Sequence, residues 1–200
     1  MILKDHNVIF IHVQKTAGTT IHNLFKFSVG VGSYSTPCGM HYRLADLLKK
    51  EPHIDLNKYE VITVKRNPWE RFASFYLDTF RDYVLGRVPN KPIPWKKYFT
   101  GLTRVDDMVD KLFVNGALPP NITIFNFNNL QNEFCPWWKE RFGYTLVSLP
   151  HHNRKPEQRY NDLKTEMLMD PQFQEVISNL CHREIDYFKW KVQDLPTGTQ

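Results

Sequence analysis

The sequence predicts an α/β fold: a three-layer α/β/α sandwich with a mainly parallel central sheet, built as a single domain over residues 1–200. Three observations lead there. Short runs rich in β-branched and aromatic residues, at 8–13, 61–64 and 122–127, alternate with longer segments whose apolar residues recur every three or four positions. The first run is apolar at consecutive positions, the pattern of a strand buried on both faces. The first two runs end in polar turns that open helices, and parallel neighbours are joined in this way.

Residues 8–13, Val-Ile-Phe-Ile-His-Val, are the first predicted strand. A polar turn with one glycine follows, then a helix with Ile21, Leu24, Phe25 and Ser28 on one face. Residues 30–39 hold three Gly with Ser33, Ser35 and Pro37, an irregular loop. The loop leads into Cys38-Gly39-Met40-His41 and a short helix through Leu44, Leu47 and Leu48. Pro52 and residues 55–57 break the chain before the second strand, which runs into Lys65-Arg66-Asn67-Pro68. Asn67 as N-cap, with Pro68 at the first helical position, starts a long helix whose apolar face is Trp69, Phe72, Ala73, Tyr76, Phe80 and Tyr83. Three prolines and two basic residues make 86–94 a surface loop. Residues 105–114 read as an amphipathic helix stopped by Asn115-Gly116, and 122–127 as the third strand, entered through Pro119-Pro120-Asn121. A helix over 129–141 must be kinked or split by Pro136. An edge strand over 144–149, a basic loop over 149–159 and two terminal helices precede a polar tail after Leu195.

Hydrophobic residues at 42% and charged residues at 24% are ordinary globular values, and 200 residues suffice for a substantial core. A net charge of +5 and a pI near 9.0 suit anionic ligands without the basic excess expected of a nucleic-acid partner. The 14% of aromatic residues are read as core filling. Cys38, Cys135 and Cys181 are odd in number and scattered, with no zinc spacing, which argues for a reducing compartment. The first core strand begins at residue 8, leaving no room for a signal peptide, and no run is apolar enough to span a bilayer. The expectation is a soluble cytoplasmic protein with no membrane partner, or else a trimmed piece of a longer chain.

The chemistry centres on Lys15-Thr16-Ala17-Gly18-Thr19-Thr20. Strand, small-residue turn and helix in that order bring free backbone N–H groups and a positive dipole end to the strand's carboxyl edge. Lys15 and the hydroxyls of Thr16, Thr19 and Thr20 complete a cradle suited to a phosphate dianion. It is not the triphosphate-binding loop, which ends in Gly-Lys-Ser/Thr; the chain has no Gly-Lys dipeptide. A Rossmann fingerprint is also missing. The order Lys-Thr-x-Gly-Thr-Thr after an apolar strand resembles the 5′-phosphosulfate-binding loop of sulfotransferases. The version here, His12-Val13-Gln14-Lys15-Thr16-Ala17-Gly18-Thr19-Thr20, is most similar to the heparan sulfate 6-O-sulfotransferase branch. That branch carries Gly where this chain has Ala17, an exchange that bears on the turn's backbone angles, because Ala adopts positive φ only with strain.

The second constellation is Arg66 with Ser74. A guanidinium just past a strand can grip a phosphate bidentately, and the Ser74 hydroxyl lies about two helical turns on. Arg-Asn-Pro followed by Ser at this spacing resembles the 3′-phosphate site of sulfotransferases. Together the two resemblances imply a P-loop NTPase-like sulfotransferase fold. They also imply 3′-phosphoadenosine 5′-phosphosulfate as donor, 3′,5′-adenosine bisphosphate as product, and no metal. Lys15 would then stabilise charge on the bridging oxygen.

Such a transfer needs a base for the acceptor hydroxyl, and His is the natural type. Among eight His, His12 lies in the strand and reads as a packed or supporting residue, while His22 reads as solvated. His151 and His152 lie in the basic loop and could border the site. His41 is the choice, because Cys38-Gly39-Met40-His41 resembles the Cys-Gly-Leu-His segment that bears the base in 6-O-sulfotransferases. The family continues with Ala-Asp-Trp where this chain has Tyr42-Arg43-Leu44, which leaves the acceptor open. Asn153-Arg154-Lys155 resembles the late loop that closes over the nucleotide, implying Arg154 and Lys155 as cofactor contacts. The resemblance is close over residues 8–76 and looser beyond, although residues 183–188 are similar to the family's final helix. The implied activity is sulfuryl transfer to an acceptor hydroxyl, with a glycan as first expectation. Two rivals stay open: an ATP- and Mg²⁺-dependent phosphotransferase, and a non-catalytic binder of polyanions such as RNA or sulfated glycans.

Overall fold

The computed structural model describes residues 1–28, 34–87, 92–102, 107–150 and 158–195. In chain order its elements are β1 (Ile2–Leu3), β2 (Val8–Phe10), α1 (Gly18–Ser28), β3 (Tyr34–Ser35), α2 (Leu44–Lys50), β4 (Glu60–Lys65), α3 (Pro68–Thr79), α4 (Arg81–Val84), α5 (Trp95–Thr100), α6 (Met108–Leu112), β5 (Ile122–Asn126), α7 (Leu130–Phe142), α8 (Gln158–Met169), α9 (Pro171–Leu180) and α10 (His182–Phe188). The chain forms two compact units, one of Met1–Arg66 with Met108–His152 and one of Asn67–Asp107 with Asn153–Gln200.

The first unit holds the sheet, in the order β3-β1-β2-β4-β5. Strands β2, β4 and β5 are parallel, with Phe10 opposite Ile62 and Val64 opposite Phe125, as the three apolar runs predict. β1 pairs antiparallel with both β2 and β3, so the sheet is mixed. β1 and β3 have only two residues each, too few to carry a legible period. Phe10, Ile62, Val64 and Phe125 join Ile21, Phe25, Phe134 and Trp138 in one cluster, which seats α1 and α7 on one sheet face. Ile9, Ile11 and Val61, pointing the other way, are equally buried. Each such side chain contributes about 1.5–3 kcal/mol. On α1, Ile21 and Phe25 are buried as expected, whereas Ser28 is exposed.

Three sequence expectations in this unit are corrected. Helix α7 runs through Pro136 as one element, so the proline does not split it. Both Pro136 and Asn132, four residues earlier, are exposed, so water can take up the carbonyl that the missing N–H leaves open. Residues 144–149 form no strand. Leu146 packs on the core and Leu149 is buried three positions later, while Val147 is 89% exposed, so a period of two does not hold. The helix expected over 105–114 is described only as Met108–Leu112. Asn115 (φ 52°) and Gly116 (φ 83°) then make a two-residue turn closed by pairing of Val114 with Ala117, since both central positions tolerate the left-handed region.

The second unit is helical. Asn67 caps α3 as read, its side chain accepting from the N–H groups of Trp69 (3.1 Å) and Glu70 (3.4 Å), with Pro68 at the first position. Trp69, Phe72, Ala73 and Tyr76 enter a core with Phe99, Phe173 and Ile177. The long helix ends at Thr79, because Phe80 (φ −107°, ψ 31°) leaves helical geometry before α4 begins. Three helices finish the unit where two were expected. Asp170 accepts from Gln172 N to cap α9 ahead of Pro171, and Cys181 (φ −116°) separates α9 from α10. Arg71 and Glu184, nearly inaccessible, pair at 2.5 Å inside this core. Among the described residues no helix is long and apolar enough to cross a membrane.

Candidate functional site

The anion cradle forms where β2 gives way to α1. Ile11 N donates to Ile62 O (3.0 Å) and Thr63 Oγ1 donates to Ile11 O (2.9 Å), so the exit from β2 is fixed to β4. The turn then uses left-handed backbone at Lys15 (φ 63°) and at Ala17 (φ 64°), where the resembled branch carries glycine. Left-handed conformation in residues bearing Cβ stores about 1–2 kcal/mol each, and such strain gathers at functional sites. Ile21 N makes the first helical bond, to Ala17 O at 3.2 Å. The N–H groups of Gly18, Thr19 and Thr20 therefore lie in the first turn, at the positive end of an eleven-residue helix.

Gly18 is dictated by a close approach. A Cβ there would lie 1.7 Å from His12 Cδ2 and 2.0 Å from His12 Nε2. Of the three hydroxyls expected in the cradle, that of Thr16 turns inward: Oγ1 donates to Val13 O at 2.8 Å, and the residue is buried. Thr19 is exposed and Thr20 buried. No carboxylate lies between residues 8 and 20.

Arg66 leaves the end of β4 and reaches the same turn. Its Nη1 donates to Lys15 O at 2.9 Å, and its guanidinium lies 4.1 Å over the Phe127 ring, just after β5. One buried cation thus ties together the segments that follow β2, β4 and β5. Phe127 was not singled out from the sequence, where it reads as the last residue of the third strand. Ser74 sits in the other unit, buried on α3, where Tyr160 donates to its Oγ at 3.1 Å.

A histidine pair borders the cradle. His41 Nδ1 lies 3.5 Å from His12 O, and the two rings are tilted by 50° with centroids 4.4 Å apart. A carbonyl only accepts, so a hydrogen bond here is made by the tautomer that carries its proton on Nδ1. His12 packs on Phe10 and is held neutral: burial first, then the nearby His41, His22, Lys111 and amino terminus, lower its pKa from the usual 6.5 to about 3. His22 is half-buried rather than solvated, and burial lowers its pKa too.

Lys111 escaped the sequence reading. It is 1% exposed, and its Nζ donates to His41 O at 2.9 Å. The signal was its place on α6, on the same buried stripe as Met108 and Leu112. Arg154, Lys155, His151 and His152 lie outside the described residues. Among the described residues no group of three or more His, Cys, Asp and Glu could hold a metal ion.

Backbone donors at a helix start, with the Arg66 guanidinium held on the same turn as Lys15, are groups that can bind an anion. A family model described as the sulfotransferase family matches residues 1–105. No curated protein and no solved structure matches the chain.

Proposed function

The chain belongs to the sulfotransferase family, and on that premise we propose that it transfers a sulfuryl group from 3′-phosphoadenosine 5′-phosphosulfate to a hydroxyl of a carbohydrate. The observation that carries this reading is the junction of the Lys15 turn with Arg66, which brings a helix start and the Arg66 guanidinium to the carboxyl ends of parallel strands. The carbohydrate acceptor rests on the resemblance of the 12–20 and 38–41 segments to the heparan sulfate 6-O-sulfotransferase branch. Residues 1–200 are read as one sulfotransferase domain of the P-loop NTPase-like type.

The donor supplies an activated sulfuryl group when bound. The N–H groups at residues 16–20 receive the 5′ phosphate, with Thr16 and Ala17 contributing backbone rather than side chain. Lys15 stabilises the charge that develops on the bridging oxygen. Arg66 and Ser74 receive the 3′ phosphate, and Arg154 and Lys155 cover the nucleotide. His41 takes the acceptor proton at Nε2. The residues named require no metal.

The test is transfer of labelled sulfate from the donor to chemically desulfated heparin. His41→Ala is expected to lower turnover about 10²- to 10⁴-fold while nucleotide binding persists. Lys15→Ala is expected to lower it by about two to three orders of magnitude. Unchanged turnover in His41→Ala removes that residue from the mechanism. Stabilisation by Mg-ATP alone, with no response to 3′,5′-adenosine bisphosphate, selects the phosphotransferase instead.

A further inference from the structure

We propose that Lys111 is a positioning residue for His41, holding the base against His12 at the mouth of the cradle; this rests on the sulfotransferase reading, in which His41 is the base. Residues 39–41 are exposed and belong to no helix or strand, a poor platform for a group that must meet a hydroxyl within hydrogen-bond reach. Lys111 and His12 both hold this segment at His41. The Lys111 ammonium takes its backbone carbonyl at 2.9 Å, and the His12 carbonyl and ring meet its imidazole.

Lys111 is an unusual residue for such a task. A lysine 1% exposed gives up most of its hydration, a penalty a fold carries only where the ammonium is well used. Met108, Val109 and Leu112 on the same helix are buried as well, so α6 delivers the charge from a fixed apolar base. Its effect also reaches the neighbouring ring: burial chiefly holds His12 neutral, and Lys111 is among the charges that add to it, after His41 and His22. Position 111 lies beyond the 1–105 span that the family model matches. It therefore adds a residue that the family assignment does not supply.

The experiment compares the imidazole resonances of the whole chain with those of Lys111→Met, which keeps the length and packing of the stem. In the free protein, His41 resonances are expected to move and to lose the shift imposed by the His12 ring, while His6, His53 and His182 stay in place. Turnover with desulfated heparin is expected to fall about 10- to 100-fold with little change in KM for the donor. In a His41→Ala background the same substitution is expected to change turnover less than about threefold, because its effect passes through His41. His41 resonances that do not move, or equal losses of turnover in the two backgrounds, overturn the proposal. Should Lys111→Met fail to fold, Lys111→Arg, which keeps the charge but displaces the donor, carries the same comparison. Failure of the underlying reading shows separately, as unchanged turnover in His41→Ala alone.

Discussion

Gly18→Ala tests how the cradle is built. The added methyl would sit 1.7 Å from His12 Cδ2, 2.0 Å from Nε2 and 2.5 Å from Cγ, so the whole imidazole must move and not merely its tip. The ring has little space to move into, being buried between Phe10 at 5.9 Å and His41 at 4.4 Å. Overpacking of this kind costs about 1–3 kcal/mol. At roughly 2–4 °C per kcal/mol for a chain of this size, Tm should fall by about 2–12 °C. Scanning calorimetry reads this directly, and titration with 3′,5′-adenosine bisphosphate should show weakened binding. If the clash is the cause, Gly18→Ala should cost less than about 0.5 kcal/mol once His12→Ala has emptied the space. A wild-type Tm in the single variant, or strictly additive losses in the double variant, would refute the reasoning.

Ala17→Gly should stabilise the protein by up to about 1.5 kcal/mol, because relief of left-handed strain at φ 64° exceeds the entropy gained by the unfolded chain; a lower urea midpoint would count against it. His12 has a folded pKa of about 3 against 6.5 unfolded, so the unfolded state binds more protons between those values and stability falls as pH drops through that window. Urea titrations at pH 7.5 and pH 5 should differ by about 2 kcal/mol more in the wild type than in His12→Asn, and equal differences would contradict the assignment. Glu184→Ala should cost about 3–5 kcal/mol, because it removes a buried partner that Arg71 holds at 2.5 Å; a loss under 1 kcal/mol would mean that the pair adds little to the fold.

Much of the architecture was legible because it obeys local rules. Apolar runs gave the parallel strands, and Asn67-Pro68 gave the start of α3 through a cap and a fixed φ. What escaped depends on tertiary context. Ile2 and Leu3 become a strand only by pairing with β2 and β3, and the stop after Thr79 interrupts an apolar stripe that reads as continuous. At the site, the Lys15 turn and Arg66 could be singled out from residue type and place, but their contact through Lys15 O could not. Gly18 looked like a turn glycine and proved to be clearance for His12. Lys111 was hidden inside an amphipathic pattern, where a lysine next to apolar positions reads as a solvated side chain reaching out of the helix.

The most direct test of the account is calorimetric titration of the metal-free protein with 3′,5′-adenosine bisphosphate, 5′-adenosine monophosphate and Mg-ATP. Tight binding of the bisphosphate, weaker binding of the monophosphate, and an Arg66→Ala variant that no longer distinguishes the two are the predicted results. Equal affinity for mono- and bisphosphate in the wild-type protein, or binding of Mg-ATP alone, would contradict it.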